Sequence, residues 1–210
     1  MKLSTQLISP VDGSILVERN FASQQQIDAA LSAASNAQIK WKKSSVAERA
    51  TFCIAIVEAM VSMKDQIVPE LAWQMGRPIR YGAGEVRGFE ERARYMIDIA
   101  EKALADIEIT EKSGFKRYIR RESLGTVFVV APWNYPYLTA VNSIIPALMA
   151  GNAVILKHAS QTLLVGERFA KACEMAQLPV GLFCNLVLDH QQTASIISSG
   201  LVNQVNFTGS

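Results

Sequence analysis

Residues 130–157, VAPWNYPYLTAVNSIIPALMAGNAVILK, hold the pattern that decides the fold. They read as the end of a buried strand, a Pro-Trp-Asn-Tyr-Pro turn, an apolar helix, and a second buried strand that ends on a lysine. Residues 126–130 run apolar without alternation, as a strand covered on both faces does. The few polar groups left at the strand ends are chiefly Asn134 and Lys157, and α/β sheets bind their ligands at those ends.

Downstream the alternation continues. Residues 162–177 predict a helix with Val165, Phe169, Cys173 and Ala176 on one side. Residues 185–188 predict a third strand, 192–199 a helix and 204–208 a fourth strand. Four strands joined by crossover helices imply a parallel sheet with right-handed connections. Upstream the chain is mostly helical. Pro10-Val11-Asp12-Gly13 predicts a turn between short strands at 6–9 and 14–18. Ser23 with Gln26, and Ser45 with Glu48, are capping-box pairs. Ile27, Leu31, Ala34 and Trp41 then share one helical face, and Phe52, Ile56, Met60, Met63 and Ile67 form a second core stripe. Pro69 and Gly76-Arg77-Pro78 bracket a short helix with Trp73, followed by a longer helix over about 85–105. Residues 118–122 suggest an edge strand. The fold class expected is α/β: a Rossmann-like parallel sheet with flanking helices and an N-terminal helical segment.

Composition narrows the function. The 210 residues carry 21 basic and 19 acidic side chains in mixed sign, a net charge of +2. Without a basic stripe interleaved with aromatics, nucleic acid is not an expected partner. Residues 123–156 contain no charged side chain, yet Pro132, Asn134, Pro136, Asn142, Pro146 and Asn152 divide them into core-sized pieces, so no membrane span is expected. Cys53, Cys173 and Cys184 have neither metal-ligand spacing nor an even count, and MKLSTQLISPVDGS lacks an apolar leader core. A reducing, cytoplasmic setting is expected.

Three groups of residues fall at the predicted ligand edge. After the first strand come Ala131, Pro132, Trp133 and Asn134. The Asn134 amide can donate to an oxyanion forming on a substrate carbonyl, or it can cap the following helix or tie down the turn. After the second strand comes Lys157, whose ammonium can bond a ribose hydroxyl or a phosphate, or can simply be solvated. His158 beside it reads as a satisfied surface histidine without a catalytic role, and Ser160 follows. After the fourth strand come Phe207, Gly209 and Ser210, a plain turn or the start of a phosphate-holding helix.

The segments APWNYP (131–136), ALMAGNAVILKHASQT (147–162) and VNFTGS (205–210), in this order and spacing, resemble the aldehyde dehydrogenase superfamily, and the likeness runs from the turn at Pro10 to the last residue. The resemblance implies NAD or NADP as cofactor and an aldehyde as substrate. It implies that Asn134 supplies the side-chain oxyanion donor and that Lys157 binds the adenosine ribose. It further implies that Trp133 and the turn backbone line the nicotinamide half, and that Phe207, Gly209 and Ser210 lie near the phosphates. Family chemistry uses a cysteine thiolate that attacks the aldehyde and a glutamate that activates the hydrolytic water. None of the three cysteines has the nucleophile's context, so residues 1–210 correspond to the family's N-terminal, NAD(P)-binding part, with nucleophile and base expected beyond residue 210. Residues 114–122 correspond to a strand-rich oligomerisation extension, which implies a homo-oligomer, dimer or tetramer. Ser160 stands where many NAD-preferring members have a glutamate. Asp189-His190-Gln191-Gln192 stands where the family often has a glycine-containing turn. The stretch 157–162 is similar to members that act on succinate semialdehyde.

Overall fold

The computed structural model describes residues 3–110 and 112–209. Ser210, assigned above to the phosphate end, therefore lies outside the described residues. The chain opens with an antiparallel hairpin, β1 (Ser4–Ile8) and β2 (Ile15–Asn20). Its turn is set by Gly13 at φ +77° and by Asp12 Oδ1, which accepts from the Ser14 N–H at 3.0 Å. Helices α1 (Gln24–Trp41) and α2 (Val46–Ser62) follow, and both expected capping boxes form. In each, the serine side chain takes the N3 amide and the N3 side chain takes the cap amide, which satisfies two of the orphan donors of a helix start.

Two helices depart from the sequence expectation. α3 (Lys64–Met75) carries Pro69 in its interior instead of starting after it. Proline removes one hydrogen bond there, and burial of Ile67 and Leu71 on either side holds the helix through it. α4 (Ile79–Asp98) starts just after Pro78, six residues ahead of expectation, and ends at Asp98, with α5 (Ala100–Leu104) as a separate piece. Gly82, Gly84 and Gly88 lower the local helix propensity. Gly82 is nevertheless required: a Cβ there would come within 2.9 Å of Val68 Cγ1 and 3.3 Å of the Val68 backbone.

A two-residue ribbon, β3 (Ile107–Glu108) with β4 (Tyr118–Ile119), is all that forms of the edge strand expected at 118–122. The main sheet then assembles from β5 (Thr126–Val130), β6 (Ala153–Lys157), β7 (Phe183–Asn185) and β8 (Gln204–Phe207). All are parallel, in the order β7-β6-β5-β8. β7 lies two to three residues before the expected 185–188, because it can pair only where β6 offers partners, Val154 to Leu156. Helices α6 (Pro136–Met149), α7 (Leu163–Met175) and α8 (His190–Ser198) are the crossovers. Right-handed connections put α6 and α7 on one face and α8 on the other. β5 is buried along its whole length and β6 up to Leu156, so the apolar runs of the sequence are central strands. Among the described residues no helix is long and apolar enough to cross a membrane.

Candidate functional site

The strand order places a topological switch point between β5 and β8. From β5 the chain moves outward to β6 and β7, then returns across the sheet to β8. Crevices at the carboxyl ends of strands on either side of such a point are the ligand sites of open α/β sheets. Register brings the three sequence motifs together there: Val130, the last residue of β5, pairs with Lys157 on one side and with Phe207 on the other. Backbone bonds extend the pairing, from Ala131 N to Lys157 O at 3.1 Å and from Thr208 N to Val130 O at 3.0 Å. Neighbouring strands lie about 4.8 Å apart, so the Trp-Asn turn, the lysine and the Phe-Thr-Gly segment share one edge. Trp133, Tyr135 and Phe207 are exposed along it, and Gly209 sits at φ +149°, a region hardly open to other residues.

The turn from β5 into α6 is built around Asn134, which is exposed. Its Oδ1 accepts from the Tyr135 N–H at 3.1 Å. Among the described residues nothing accepts from Nδ2, so the donor half of the amide is available. The side chain ties down the turn, as one of the two sequence readings has it, and does not cap α6. Tyr135 at the cap position supplies no acceptor either. The acceptor comes from α4. Glu85 Oε1 accepts from Tyr137 N and Leu138 N, both at 3.1 Å, and a carboxylate at a helix N-terminus also meets the positive end of the helix dipole. Arg77 closes the arrangement, with Nη1 on Glu85 Oε2 at 2.5 Å and Nη2 on the Asn134 carbonyl at 2.8 Å. Sequence reasoning missed both residues, since Gly76-Arg77-Pro78 looked like punctuation. The available signal was a carboxylate one position before Val86 and four before Phe89, on the buried side of an amphipathic helix.

Lys157 is half-buried, and that desolvation lowers its pKa. A partly dehydrated ammonium at a strand end is ready to donate to hydroxyl or phosphate oxygens. Ser160 begins a single helical turn, Ser160–Thr162, and is exposed. His158 corrects the expectation of a surface residue: it is 5% exposed. Nδ1 accepts from the Ala159 N–H at 3.0 Å, which puts the ring proton on Nε2, 3.3 Å from the Pro136 carbonyl. Burial pushes its pKa down to about 4, with the Lys157 charge adding to the shift, so the ring is neutral near pH 7. Asp189 caps α8 in a capping box with Gln192.

Cys53 and Cys173 are buried and Cys184 is half-buried. Burial raises the Cys53 thiol to about 12 and raises Cys173 and Cys184 as well, and a thiol becomes reactive when its pKa falls. Among the described residues no cluster of His, Cys, Asp and Glu could hold a metal ion.

A sequence model of the aldehyde dehydrogenase family matches residues 2–210. The succinate-semialdehyde dehydrogenase (NADP(+)) of Mycobacterium avium is 30% identical over 206 residues, 97% of this chain and 44% of that protein. The 3,6-anhydro-alpha-L-galactose dehydrogenase of Streptomyces coelicolor is 29% identical over 205 residues, 97% of this chain and 42% of that protein. Among solved structures, an NAD-dependent benzaldehyde dehydrogenase from Corynebacterium glutamicum superposes with a TM-score of 0.91 at 26% identity, over 100% of this chain and 45% of that one. The chain thus spans less than half the length of the relatives it matches.

Proposed function

The chain belongs to the aldehyde dehydrogenase family, and on that premise we propose that it supplies the cofactor-binding elements and an oxyanion donor to an enzyme that oxidises an aldehyde to a carboxylic acid with NAD or NADP. The observation that carries this is the convergence on Val130: the Asn134 turn, Lys157 and Phe207 meet at the carboxyl edge of the sheet, at its switch point.

A dinucleotide fits what lies there. Lys157 offers a desolvated donor for a ribose hydroxyl, Gly209 lets the backbone approach closely, and Trp133 and Phe207 give apolar surface for a ring. When bound, the nicotinamide supplies the hydride acceptor. The residues of this chain do the rest of the local work. Asn134 Nδ2 donates to the oxygen of the aldehyde as charge collects on it, while its own Oδ1 is held by the Tyr135 N–H. Neutral His158 braces the lysine loop against the start of α6 and moves no proton. The thiolate and the general base that the oxidation needs are assigned to other residues than Cys53, Cys173 and Cys184, in keeping with their raised pKa values. Those same raised values are the one observation in favour of a second reading, a dinucleotide-binding module without turnover.

The substrate class first to be tried is a semialdehyde, in view of the Mycobacterium avium relative. The exposed Ile107, Tyr118 and Ile119 of the β3–β4 ribbon, with Phe115 between the two strands, support a subunit contact, hence a dimer or tetramer. Three free cysteines suit a cytoplasmic setting. Ser160 leaves no carboxylate to repel a 2′-phosphate, so NADP is accepted as well as NAD. The test is aldehyde-dependent reduction of both cofactors by the protein expressed from its complete reading frame. Turnover with NADP within about a hundredfold of NAD in kcat/KM, about 2.7 kcal/mol, is expected. A larger preference for NAD removes the role of Ser160. Cofactor binding without reduction by any aldehyde favours the module.

A further inference from the structure

α6 begins at Pro136 with backbone N–H groups that its own cap residue does not satisfy. The acceptor arrives from a different helix, and it arrives charged. The Glu85 side chain is 1% exposed, and the side chain of Arg77, whose guanidinium neutralises it, is 14% exposed. A charge at that depth without a partner is strongly destabilising, so the pair is obligatory once either member is present. Neutralisation alone would need only one arm of the guanidinium. The second arm donates to the carbonyl of Asn134 at 2.8 Å, and the guanidinium carbon lies 4.9 Å from the centre of the Tyr135 ring.

From this geometry we infer that Arg77 and Glu85 are positioning residues for the Asn134 amide: Glu85 anchors the first turn of α6, and Arg77 spans from that anchor to the Asn134 peptide. The inference rests on the oxyanion role proposed for Asn134. Asn134 is exposed and bonds through Oδ1 only to the next residue's amide. With its carbonyl released, the 134–135 peptide could rotate and carry the side chain with it. An oxyanion donor displaced by about 1 Å loses most of its effect. The fork of the guanidinium is what permits two directed bonds at once; a lysine at 77 would keep the charge beside Glu85 and lose the second bond.

Arg77→Lys therefore separates the two tasks. In the 210-residue chain, the side-chain amide signal of Asn134 is identified in a heteronuclear NMR spectrum as the one lost in Asn134→Ala. Arg77→Lys is expected to shift that signal and the Tyr135 N–H, while the Tyr137 and Leu138 N–H groups held by Glu85 stay in place. In the protein from the complete reading frame, Arg77→Lys is expected to lower kcat about tenfold and leave KM for the cofactor unchanged. Combined with Asn134→Ala it should cost nothing further, because the two changes act through one group. Arg77→Gln combined with Glu85→Gln, which leaves no unpaired buried charge while the amide oxygen at 85 can still accept from Tyr137 N–H and Leu138 N–H, is the second variant if the lysine form does not fold. An unmoved Asn134 signal, or losses that multiply in the double variant, overturns the inference. If Asn134→Ala alone leaves kcat intact, the oxyanion role fails, and the NMR shift still decides whether Arg77 sets the place of the amide.

Discussion

His158 links the two loops of the site, one ring nitrogen toward the Pro136 carbonyl and the other accepting from Ala159 N–H with the Thr162 hydroxyl 3.0 Å away. Its cost is paid in acid. Burial lowers its pKa from 6.5 to about 4, so between those values the unfolded chain binds a proton that the folded chain does not. Stability is complete above about pH 6.5 and falls as pH drops toward 4, by about 3 kcal/mol in all. The hydrogen-bonded carboxylates Asp12, Glu18 and Glu48 have lowered values, below 3.8 for the aspartate and below 4.5 for the two glutamates, and they begin to cost stability only at the acid end of that window. Urea midpoints measured from pH 7 down to about pH 5 should decline in the wild type and level out in His158→Gln. Equal slopes in the two proteins would mean that the ring is not held neutral by burial.

Between elements, the contact of α3 with α4 decides whether Arg77 and Glu85 can reach α6. Gly82 sits where α4 crosses Val68, and an added Cβ meets backbone as well as side chain. Gly82→Ala gains about 1 kcal/mol of helix propensity and loses more to overpacking, so a net destabilisation of about 1–3 kcal/mol is expected. A urea midpoint at or above that of the wild type would show that α3 and α4 can part without cost. The same crossing explains what could and could not be read from the residues. Capping boxes and apolar periodicity marked α1, α2 and α7 because those signals are local. The start of α4 lies six residues ahead of its sequence signal because Gly82 serves a tertiary contact with Val68, and α3 runs through Pro69 with buried residues on both sides of it. β7 was misplaced since strand limits depend on a partner strand. The placement of Asn134 and Lys157 at one edge of the sheet was legible from the strand ends. Arg77 and Glu85 were not, since their role exists only when α4 lies beside α6.

For the molecule as a whole, the sheet order turns three separated motifs into one edge. β5 carries the Asn134 turn, β6 brings Lys157 to one side of Val130, and β8 brings Phe207 to the other. Helix α4 and the segment that joins it to α3 then fix the turn from outside the sheet, through Glu85 at the start of α6 and Arg77 on the Asn134 carbonyl. Nothing in this arrangement needs a charged catalytic group from the turn itself. In the proposed reading a neutral amide aimed at a developing oxyanion is sufficient, since its effect grows as charge moves onto the substrate oxygen. Replacing that amide is the most direct measurement. In the protein from the complete reading frame, Asn134→Ala should lower kcat for aldehyde oxidation by about a hundredfold or more while the Kd for NAD or NADP stays the same; a kcat equal to that of the wild type would contradict the account.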